Sequence, residues 1–276
     1  MFPIRDARTL APSVKRFWIE APRVARHWHP GQFVIVRVSA DGERIPLTIA
    51  DGDREAGTIC LIVQAVGATT KAINRLEQGN GFADVSGPLG EPSRIQFYGT
   101  VVVVGGGVGT AIAYPVARAL FEAGNRVLAI IGGRSREYVI LEEELSNVAE
   151  KVLPATDDGS YGHRGLVTDV LAELLEQERA IDRVFAVGPI PMMRAIANLT
   201  LPHNIETIVS LNPIMVDGTG MCGGCRVLIN GVTKFACVDG PEFNAHHVNF
   251  DVLEARNLAY RGFELSRAAP AESANS

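Results

Sequence analysis

The chain has 276 residues, of which 47% are hydrophobic and 21% charged, and its formal net charge is −5. The length favours two domains, and an acidic balance without a long basic run argues against a nucleic-acid-binding surface. No uncharged apolar run reaches the length of a membrane span, and the N-terminal MFPIRDARTL is too charged for a signal peptide. We therefore expect a cytoplasmic protein that binds neither nucleic acid nor membrane.

Residues 1–98 contain short β-type runs that are separated by Gly, Pro and Asp, among them SVKRFWIEA, QFVIVRV and GTICLIVQAV. Closely spaced strands with turn signals predict a small antiparallel barrel or sandwich. Helical periodicity first becomes clear in TTKAINRLEQ. Thr69 and Thr70 can cap this helix, and the same helix start could receive a pyrophosphate.

Residues 99–208 alternate between apolar strands and amphipathic helices. The strand patterns are TVVVVGG, RVLAIIGG and RVFAVG, and the helix patterns are TAIAYPVARALFEAG, LVTDVLAELLEQ and IPMMRAIANL. Near-continuous apolar strands that alternate with helices predict a parallel sheet covered on both faces.

A glycine-rich turn follows the first of these strands, with Gly105, Gly106, Gly107 and Gly109 before the next helix. Such a turn lets free backbone N–H groups face a phosphate. The match to G-x-G-x-x-G is imperfect, because Thr110 and Ala111 stand where later glycines are expected. The residues alone therefore allow a dinucleotide site or a tight turn without a ligand.

Two further loops, GGRSRE and VGPIPMM, should lie at the carboxyl ends of the same parallel strands. Ligands of open α/β sheets bind there, so these loops and the glycine turn should converge on one crevice. Arg134 and Arg136 are either ribose or phosphate contacts or solvated charges. Met192 and Met193 fit a helix core better than a ligand contact.

Residues 209–265 contain three of the four cysteines, Cys222, Cys225 and Cys237. Clustered cysteines suit a metal site in a reducing compartment better than a disulfide framework. Cysteine-bound metal centres usually take four protein ligands, so one is missing. One interpretation is a zinc site, which His246, His247 or Asp239 could complete. The other interpretation is an iron–sulfur cluster. Cys60 is expected to be a buried apolar residue, and residues 266–276 a disordered tail.

Taken together, RIPLT, VGATTKA, GPLG, VVGGGVGTAIAYPVARAL, TDDGSYGHRGLVTD, VGPIPMM and the cysteine segment resemble the ferredoxin–NADP reductase superfamily. Two branches are most similar. One is the small subunit of NADH-dependent reduced ferredoxin:NADP oxidoreductase, with the related sulfide dehydrogenase subunit. The other is the electron-transfer subunit of dihydroorotate dehydrogenase B. The resemblance implies an N-terminal antiparallel flavin-binding β-barrel (1–98), a parallel-sheet nucleotide-binding domain (99–208) and a C-terminal [2Fe–2S] segment (209–265).

The resemblance also supplies the missing ligand. Dihydroorotate dehydrogenase subunits carry C-x4-C-x2-C and a fourth cysteine further on, and Cys222, Cys225 and Cys237 match the last three places. The first place falls on Asp217, and the transhydrogenase branch resembles this variant with an aspartate ligand. A carboxylate donates to iron differently from a thiolate, so the cluster potential should differ from that of an all-cysteine site.

Cofactor contacts follow from the same resemblance. The resemblance implies that Arg44 contacts the FAD phosphates. The other implied FAD contacts are Pro46, Leu47, Thr48, Ile62, Val63, Gln64, Gly67, Thr69 and Thr70. Leu47 replaces the aromatic that stacks on the flavin in many relatives. For the pyridine nucleotide they are Gly105, Gly106, Gly107, Gly109, Thr110, Arg134, Ser135, Gly188, Pro189 and Met192. Hydride transfer needs orientation of two rings and no side-chain acid or base, so we predict no catalytic residue.

The implied function is that of an iron–sulfur flavoprotein subunit. It would pass electrons between NAD(H), FAD and a [2Fe–2S] cluster to a larger iron–sulfur flavoprotein partner in a bifurcating NADH/NADPH/ferredoxin transhydrogenase, with ferredoxin reached through the complex. The alternatives are the dihydroorotate dehydrogenase B subunit, against which Asp217 counts, and a non-enzymatic zinc- or nucleotide-binding module. NADP(H) stays open as the nucleotide, because Arg134, Ser135 and Arg136 could hold a 2′-phosphate.

Overall fold

The computed structural model describes residues 1–178 and 180–259, so the predicted tail at 266–276 and the end of the segment 209–265 lie outside the described residues. The N-terminal part is an antiparallel sheet in the order β6-β1-β2-β5-β4-β3-β7. Its strands are β1 (Phe2–Ala11), β2 (Val14–Glu20), β3 (Phe33–Arg37), β4 (Ile45–Asp53), β5 (Thr58–Gln64), β6 (Gly81–Phe82) and β7 (Asp84–Leu89). The helices α1 (Pro22–His27) and α2 (Ala68–Asn74) complete this part.

This sheet curls around its own apolar core, which includes Phe17, Ile19, Val34, Leu61 and Phe82. Alternating inward side chains from β2, β3 and β5 fill it, as expected for a half-buried antiparallel sheet. The predicted antiparallel barrel is thus confirmed as a near-barrel sheet. The three quoted strand patterns correspond to β2, β3 and β5.

Strand β4 changes partner along its length. Residues 45–48 pair with β3, with Thr48 opposite Phe33, whereas Ile49 and the residues after it pair with β5. Beyond the pair Ile49–Leu61, β4 and β5 separate, and Gln64 pairs only with Val14 on β2. The sheet is therefore open between the first half of β4 and the last residues of β5.

The second part is a parallel sheet with helices on both faces, as predicted. Its elements are β8 (Thr100–Gly106), α3 (Thr110–Glu122), β9 (Arg126–Gly133), α4 (Glu142–Ser146), β10 (Lys151–Thr156), β11 (His163–Arg164), α5 (Val167–Gln177), β12 (Arg183–Val187), α6 (Ile190–Thr200) and β13 (Glu206–Ser210). Short 3-10 turns span Gly107–Gly109, Arg136–Tyr138, Leu201–His203 and Ala245–His247. Valines 101–104 of β8 are fully buried because helices cover the sheet on both sides.

The C-terminal part contains the hairpin β14 (Arg226–Ile229) and β15 (Val232–Phe235), the strand β16 (Glu242–Asn244) and the helix α7 (Phe250–Ala259). Strand β16 pairs antiparallel with β13, so the second sheet has the order β11-β10-β9-β8-β12-β13-β16. The predicted cluster segment therefore adds an edge strand to the nucleotide sheet. The predicted boundary at residue 208 stays a prediction. No helix in the described ranges is long and apolar enough to cross a membrane.

Candidate functional site

The predicted cluster ligands meet as two pairs. The Oδ1 atom of Asp217 lies 3.1 Å from the sulfur of Cys222, and the sulfurs of Cys225 and Cys237 lie 3.2 Å apart. The first pair is at the surface, whereas Cys225 and Cys237 are 1% and 2% exposed. All four residues lie between Leu211 and Asp239, on the loop before β14 and the turn after β15.

The loop before β14 is held against the barrel. Gly218 has a φ of +76°, and a Cβ at this position would lie 2.8 Å from Leu89 and 2.9 Å from Ile35. Only glycine fits such a close approach in this conformation. Cys225 and Cys237 belong to the same buried cluster as Phe33 and Ile35 of β3. The packing therefore brings the cysteine segment next to the strand that pairs with the predicted flavin residues.

Hydrogen bonds prepare Asp217 as an anionic ligand. Its Oδ2 atom accepts from the Thr219 hydroxyl at 2.8 Å and from the Met221 N–H at 3.0 Å. The contact with Cys222, and then the Thr219 bonds, lower the pKa of the Asp217 carboxyl to about 2. Burial, followed by the contact with Cys225, raises the pKa of the Cys237 thiol to about 12. Metal binding at this pair must therefore displace a tightly held proton.

The pairwise arrangement fits a binuclear cluster better than a single zinc ion. Zinc needs four donors around one point, and among the described residues no three His, Cys, Asp or Glu side chains converge in that way. A [2Fe–2S] cluster instead takes two protein donors at each iron. Backbone N–H groups of Gly224 and Cys237 point at the sulfurs of Cys222 and Cys225, at 3.4 and 3.5 Å. Such bonds are typical of cluster surroundings.

The histidines and the aspartate that could complete a zinc site do not join the cysteines in a group of three or more possible ligands within the described residues. The Nε2 atom of His246 lies 3.0 Å from the hydroxyl of Thr200 on α6, and His247 shares its 3-10 turn. The carboxylate of Asp239 binds Lys234 and the backbone N–H of Phe235. His246 is therefore engaged with α6, and Asp239 with the turn after β15.

The predicted flavin residues flank the opening of the first sheet. Pro46, Leu47 and Thr48 lie on the half of β4 that has left β5, and Ile62, Val63 and Gln64 lie on the facing end of β5. Arg44 precedes β4 and is exposed. Unpaired backbone edges that face each other across a gap suit a flat polar ring, which can accept their hydrogen bonds. The opening fits a flavin there.

Helix α2 begins at the end of β5, with Gly67 as its N-cap. The Thr70 hydroxyl accepts the backbone N–H groups of Val66 and Gly67, both at 2.9 Å, so Thr70 caps the helix as predicted. Thr69 does not cap. Its hydroxyl donates to Glu43 at 2.5 Å, and Glu43 lies on the loop between β3 and β4.

A cavity of about 80 Å³ joins the predicted flavin and cluster residues. Arg44 and Asp217 both line it, beside Arg37 and Asp84, which form an ion pair in which Nε lies 2.7 Å from Oδ2. Arg44 and Asp217 are far apart in the sequence, and no local pattern indicates that they line the same cavity. Folding brings a predicted phosphate contact and a predicted cluster ligand to one surface.

The predicted nucleotide residues meet at the carboxyl ends of β8 and β12. These two parallel strands are neighbours in the sheet. From β8 the strand order continues toward β9 and β10, and from β12 it continues in the other direction toward β13. Such a reversal of strand order is the topological switch point where ligands of open α/β sheets bind. The sulfur of Met192 lies 2.5 Å from where a Cβ at Gly106 would be. A Cβ at Gly188 would lie 2.5 Å from the terminal methyl of Met192. Met193 is buried in the core, whereas Met192 covers the glycine turn. Of the two methionines, only Met193 is fully in the core.

Arg134 and Ser135 follow β9, one strand further along the same edge. Arg134 is exposed. The Arg136 guanidinium lies 4.7 Å from the centre of the Tyr161 ring, and its backbone N–H donates to Ser160 at 2.9 Å. Arg136 is thus engaged in a cation–π contact. The sequence predicts either a solvated charge or a ribose or phosphate contact for Arg136, and this cation–π contact is neither of them.

Two residues near the predicted sites have no local sequence signal. Arg256 on α7 donates to the Gly224 carbonyl at 3.0 Å, within the Cys222–Cys225 turn. Lys15 is 6% exposed and donates to the Leu76 carbonyl at 2.7 Å, below the last turn of α2. Arg256 and Gly224 are 32 positions apart in the sequence, and Lys15 and Leu76 are 61 apart. Local sequence patterns do not predict contacts over such separations.

Three family models match the chain in order. They are an oxidoreductase FAD-binding domain (residues 1–93), an oxidoreductase NAD-binding domain (103–198) and the iron–sulfur cluster binding domain of dihydroorotate dehydrogenase B (212–249). These matches confirm the predicted flavin, NAD and iron–sulfur cofactors. They also exclude a non-enzymatic zinc module as the description of this chain.

Similar proteins cover almost the whole chain. A Thermotoga maritima homologue of the electron transfer subunit of dihydroorotate dehydrogenase B (NAD(+)) is 48% identical over 91% of this chain and 89% of its own. The Bacillus caldolyticus electron transfer subunit of the same enzyme is 34% identical over 89% of this chain and 96% of its own. A structure of an NADH-dependent reduced ferredoxin-NADP oxidoreductase, described for flavin-based electron bifurcation, is 44% identical over 97% of each chain, with a TM-score of 0.91.

A more distant structure shares the fold alone. The ferredoxin NADP+ reductase from Neisseria gonorrhoeae is 16% identical over 74% of this chain, with a TM-score of 0.60. The relatives that match over the full length are described as electron-transfer subunits or as part of a ferredoxin-NADP oxidoreductase. The chain therefore belongs to the family of dihydroorotate dehydrogenase B electron-transfer subunits and their homologues, which are flavin oxidoreductases with FAD-, NAD- and iron–sulfur-binding domains.

Proposed function

We propose that this chain is the small subunit of a bifurcating NADH/NADPH/ferredoxin transhydrogenase. It would pass electrons between NAD(H) and a larger iron–sulfur flavoprotein subunit in the cytoplasm, and ferredoxin would react elsewhere in the complex. The 44% identity over 97% of the chain to an NADH-dependent reduced ferredoxin-NADP oxidoreductase supports this proposal. Identity to the dihydroorotate dehydrogenase B subunits of Fusobacterium nucleatum and Bacillus caldolyticus is 31% and 34%, whereas the Thermotoga maritima protein, named as a homologue of that subunit, is 48% identical.

The observation that carries the proposal is the pairing of Asp217 with Cys222 opposite Cys225 and Cys237. These four residues would hold the cluster, with Asp217 and Cys222 on the exposed side and Cys225 and Cys237 on the buried side. The cysteine pattern that the resemblance implies for dihydroorotate dehydrogenase subunits places a cysteine at the position of Asp217. The aspartate, already anionic and hydrogen-bonded, therefore favours the transhydrogenase branch.

The barrel would hold FAD in the opening between β4 and β5. Thr48 and the backbone of Ile62 to Gln64 would bind the ring, and Arg44 and the Gly67 turn would face the phosphates. When bound, the three cofactors supply hydride transfer from NADH to flavin, as two electrons and a proton, and single-electron transfer to the cluster. The side chains bind, orient and exclude water.

The nucleotide would lie across the glycine turn Gly105–Gly109 and the Gly188–Pro189 turn, with Met192 beneath it. NAD(H) is the favoured form. Arg136 stacks on Tyr161, which leaves Arg134 as the nearby arginine for a 2′-phosphate. The rates at which NADH and NADPH reduce the bound flavin test this choice. Faster reduction by NADPH would contradict it.

The larger subunit would dock where the cluster comes closest to solvent. Cys222 is exposed, and the apolar side chains around it are Met221 (90% exposed), Val216 (52%) and Val238 (45%). Such a surface beside an electron-transfer centre suits a protein partner. Mass spectrometry after anaerobic purification from the native host tests the assignment. A large iron–sulfur flavoprotein that co-purifies would support it, and a dihydroorotate dehydrogenase barrel would replace it with the pyrimidine-synthesis alternative.

A further inference from the structure

The barrel and the nucleotide domain meet through a small apolar interface. Side chains from both domains form one buried cluster, with Ala11, Val14, Ala50, Cys60 and Ile62 from the barrel and Ala111, Ile140 and Leu141 from the nucleotide domain. Ile62 is a predicted flavin contact, and Ala111 lies in the first turn of α3. The interface therefore runs directly behind both predicted cofactor sites.

A bidentate ion pair crosses this interface at the edge of the apolar cluster, and a longer contact of 3.9 Å joins Arg16 on β2 to Glu144 on α4. The Arg118 guanidinium on α3 donates to both carboxylate oxygens of Asp51 on β4, at 2.7 and 3.1 Å. Arg118 also lies 5.4 Å from the centre of the Tyr114 ring, one turn earlier on α3. A bidentate pair with a stacked guanidinium fixes direction as well as distance.

A bulge in β4 turns Asp51 toward α3. Ile49 is opposite Leu61 and Asp51 is opposite Cys60, so β4 has one extra residue, Ala50, between them. A bulge of this kind redirects side chains and bends the strand. Here it lets Ala50 enter the interface cluster while Asp51 reaches Arg118. The bulge also lies where β4 leaves β5, next to the opening that suits the flavin.

The ion pair links the two elements that carry the cofactor contacts. Asp51 is three residues from Thr48, about 10 Å along the strand. Arg118 is eight residues from Thr110, about 12 Å along the helix. Any tilt of α3 about the interface would move the nucleotide turn relative to the flavin strand. Asp51 and Arg118 lie where they can prevent such a tilt without touching either cofactor.

We propose that Asp51 and Arg118 are positioning residues that set the distance between nicotinamide and flavin. This inference rests on the proposed electron transfer from NADH to flavin. Hydride transfer requires reacting atoms about 3–3.5 Å apart, and a displacement of about 1 Å can slow a reaction by roughly 100-fold. The Asp51 and Arg118 side chains are 24% and 29% exposed. A bidentate pair of this kind can fix the domain geometry in addition to any contribution it makes to folding stability.

The test measures single-turnover reduction of bound flavin by NADH in the intact complex, for wild type, Asp51→Asn and Arg118→Lys. We expect the rate constant to fall about 10-fold or more in both variants. FAD content and the dissociation constant of NADH should stay within about two-fold, because no cofactor contact is removed. The long-wavelength charge-transfer absorbance of the NADH complex should weaken, and a purely structural role would not produce this signature.

Glu178→Gln is the matched control, because Glu178 binds Arg126 through two contacts of 2.9 and 3.2 Å within the nucleotide domain. It should leave the rate unchanged. The exchanged pair Asp51→Arg/Arg118→Asp should recover part of the lost rate. A wild-type rate in either single variant, or an equal loss in Glu178→Gln, overturns the inference. If NADH does not reduce wild-type flavin, the proposed function itself fails.

Discussion

The Arg256 guanidinium on α7 donates a hydrogen bond of 3.0 Å to the carbonyl oxygen of Gly224. The N–H of the same glycine points at the sulfur of Cys222 at 3.4 Å. A charged side chain from the last described helix thus holds the turn between two predicted cluster ligands. The family model for the iron–sulfur domain ends at residue 249, before this arginine.

Replacing Arg256 should loosen the cluster without removing a ligand. Hydrogen bonds to charged groups contribute about 1.5–3 kcal/mol, so we expect Arg256→Ala to lose iron roughly 10-fold faster in a chelator. Arg256→Lys should be intermediate, because it keeps the charge and loses the planar donor. Arg226→Ala is the control, since Arg226 is an exposed arginine of the same segment. Equal iron loss from both alanine variants would contradict the role of Arg256.

Asp217 should determine the spectrum and potential of the cluster. Asp217→Cys should retain the cluster, shift its visible and electron paramagnetic resonance spectra, and change its midpoint potential, because a thiolate donates more strongly than a carboxylate. Asp217→Ala should lower the iron content, since one of the four predicted ligands is lost. Asp251→Ala is the control, because the Asp251 side chain is 87% exposed on α7. Unchanged spectra in Asp217→Ala would show that another group is the ligand.

Lys15 should be needed for α2 to hold its position. Its ammonium group donates to the Leu76 carbonyl at 2.7 Å and to Glu77 at 2.6 Å, and its side chain is 8% exposed. Lys15→Met leaves the partly buried Leu76 carbonyl without this donor, which costs on the order of 1 kcal/mol of unfolding free energy. Because α2 begins at the predicted pyrophosphate turn, FAD should also dissociate several-fold faster. Lys71→Met, an exposed change on the same helix, should alter neither property.

Glu242 lies where the barrel, the nucleotide sheet and the C-terminal part meet. It sits opposite Ser210 on β13, accepts a hydrogen bond from the Ser93 hydroxyl, and has an oxygen 2.6 Å from where a Cβ at Gly31 would be. The residue as a whole is partly exposed, but its carboxyl group is enclosed. Burial raises the pKa of Glu242 to about 7, against smaller lowering by Ser93 and Arg183.

This raised pKa predicts a stability that depends on pH. Between pH 4.5 and about 7 the folded state holds a proton that the unfolded state has released, so the unfolding free energy falls as pH rises through this range. The loss should be on the order of 3 kcal/mol. Melting temperatures at pH 5 and pH 8 should differ more in wild type than in Glu242→Gln. An unchanged difference in Glu242→Gln would contradict this, and Glu206→Gln on β13 serves as control.

Local patterns predict the second sheet well. The apolar run RVLAIIGG corresponds to β9 at both of its ends, and LVTDVLAELLEQ to α5 within one residue. Strands buried on both faces read as continuous apolar runs, so period and length identify them. By contrast, β1 carries Arg5, Asp6 and Arg8 on an exposed face, and its sequence FPIRDARTLA gives no clear strand signal.

Long-range pairings were beyond local reasoning. Strand β16 is three residues long and joins the nucleotide sheet through β13, although the sequence places it in the cysteine segment. Asp51 and Arg118 are 67 positions apart, and each looks like an ordinary surface charge. The contacts that shape the candidate site depend on how two domains meet, which composition and spacing do not encode. The resemblance supplied Asp217, and the structure added its pairing with Cys222.

The two pairs of predicted cluster ligands differ in access. Cys225 and Cys237 are buried against the side of the core that holds Phe33 and Ile35, while Asp217 and Cys222 face outward. In the absence of a bound cluster, a thiol-alkylating reagent should therefore modify Cys222 well before Cys225 and Cys237.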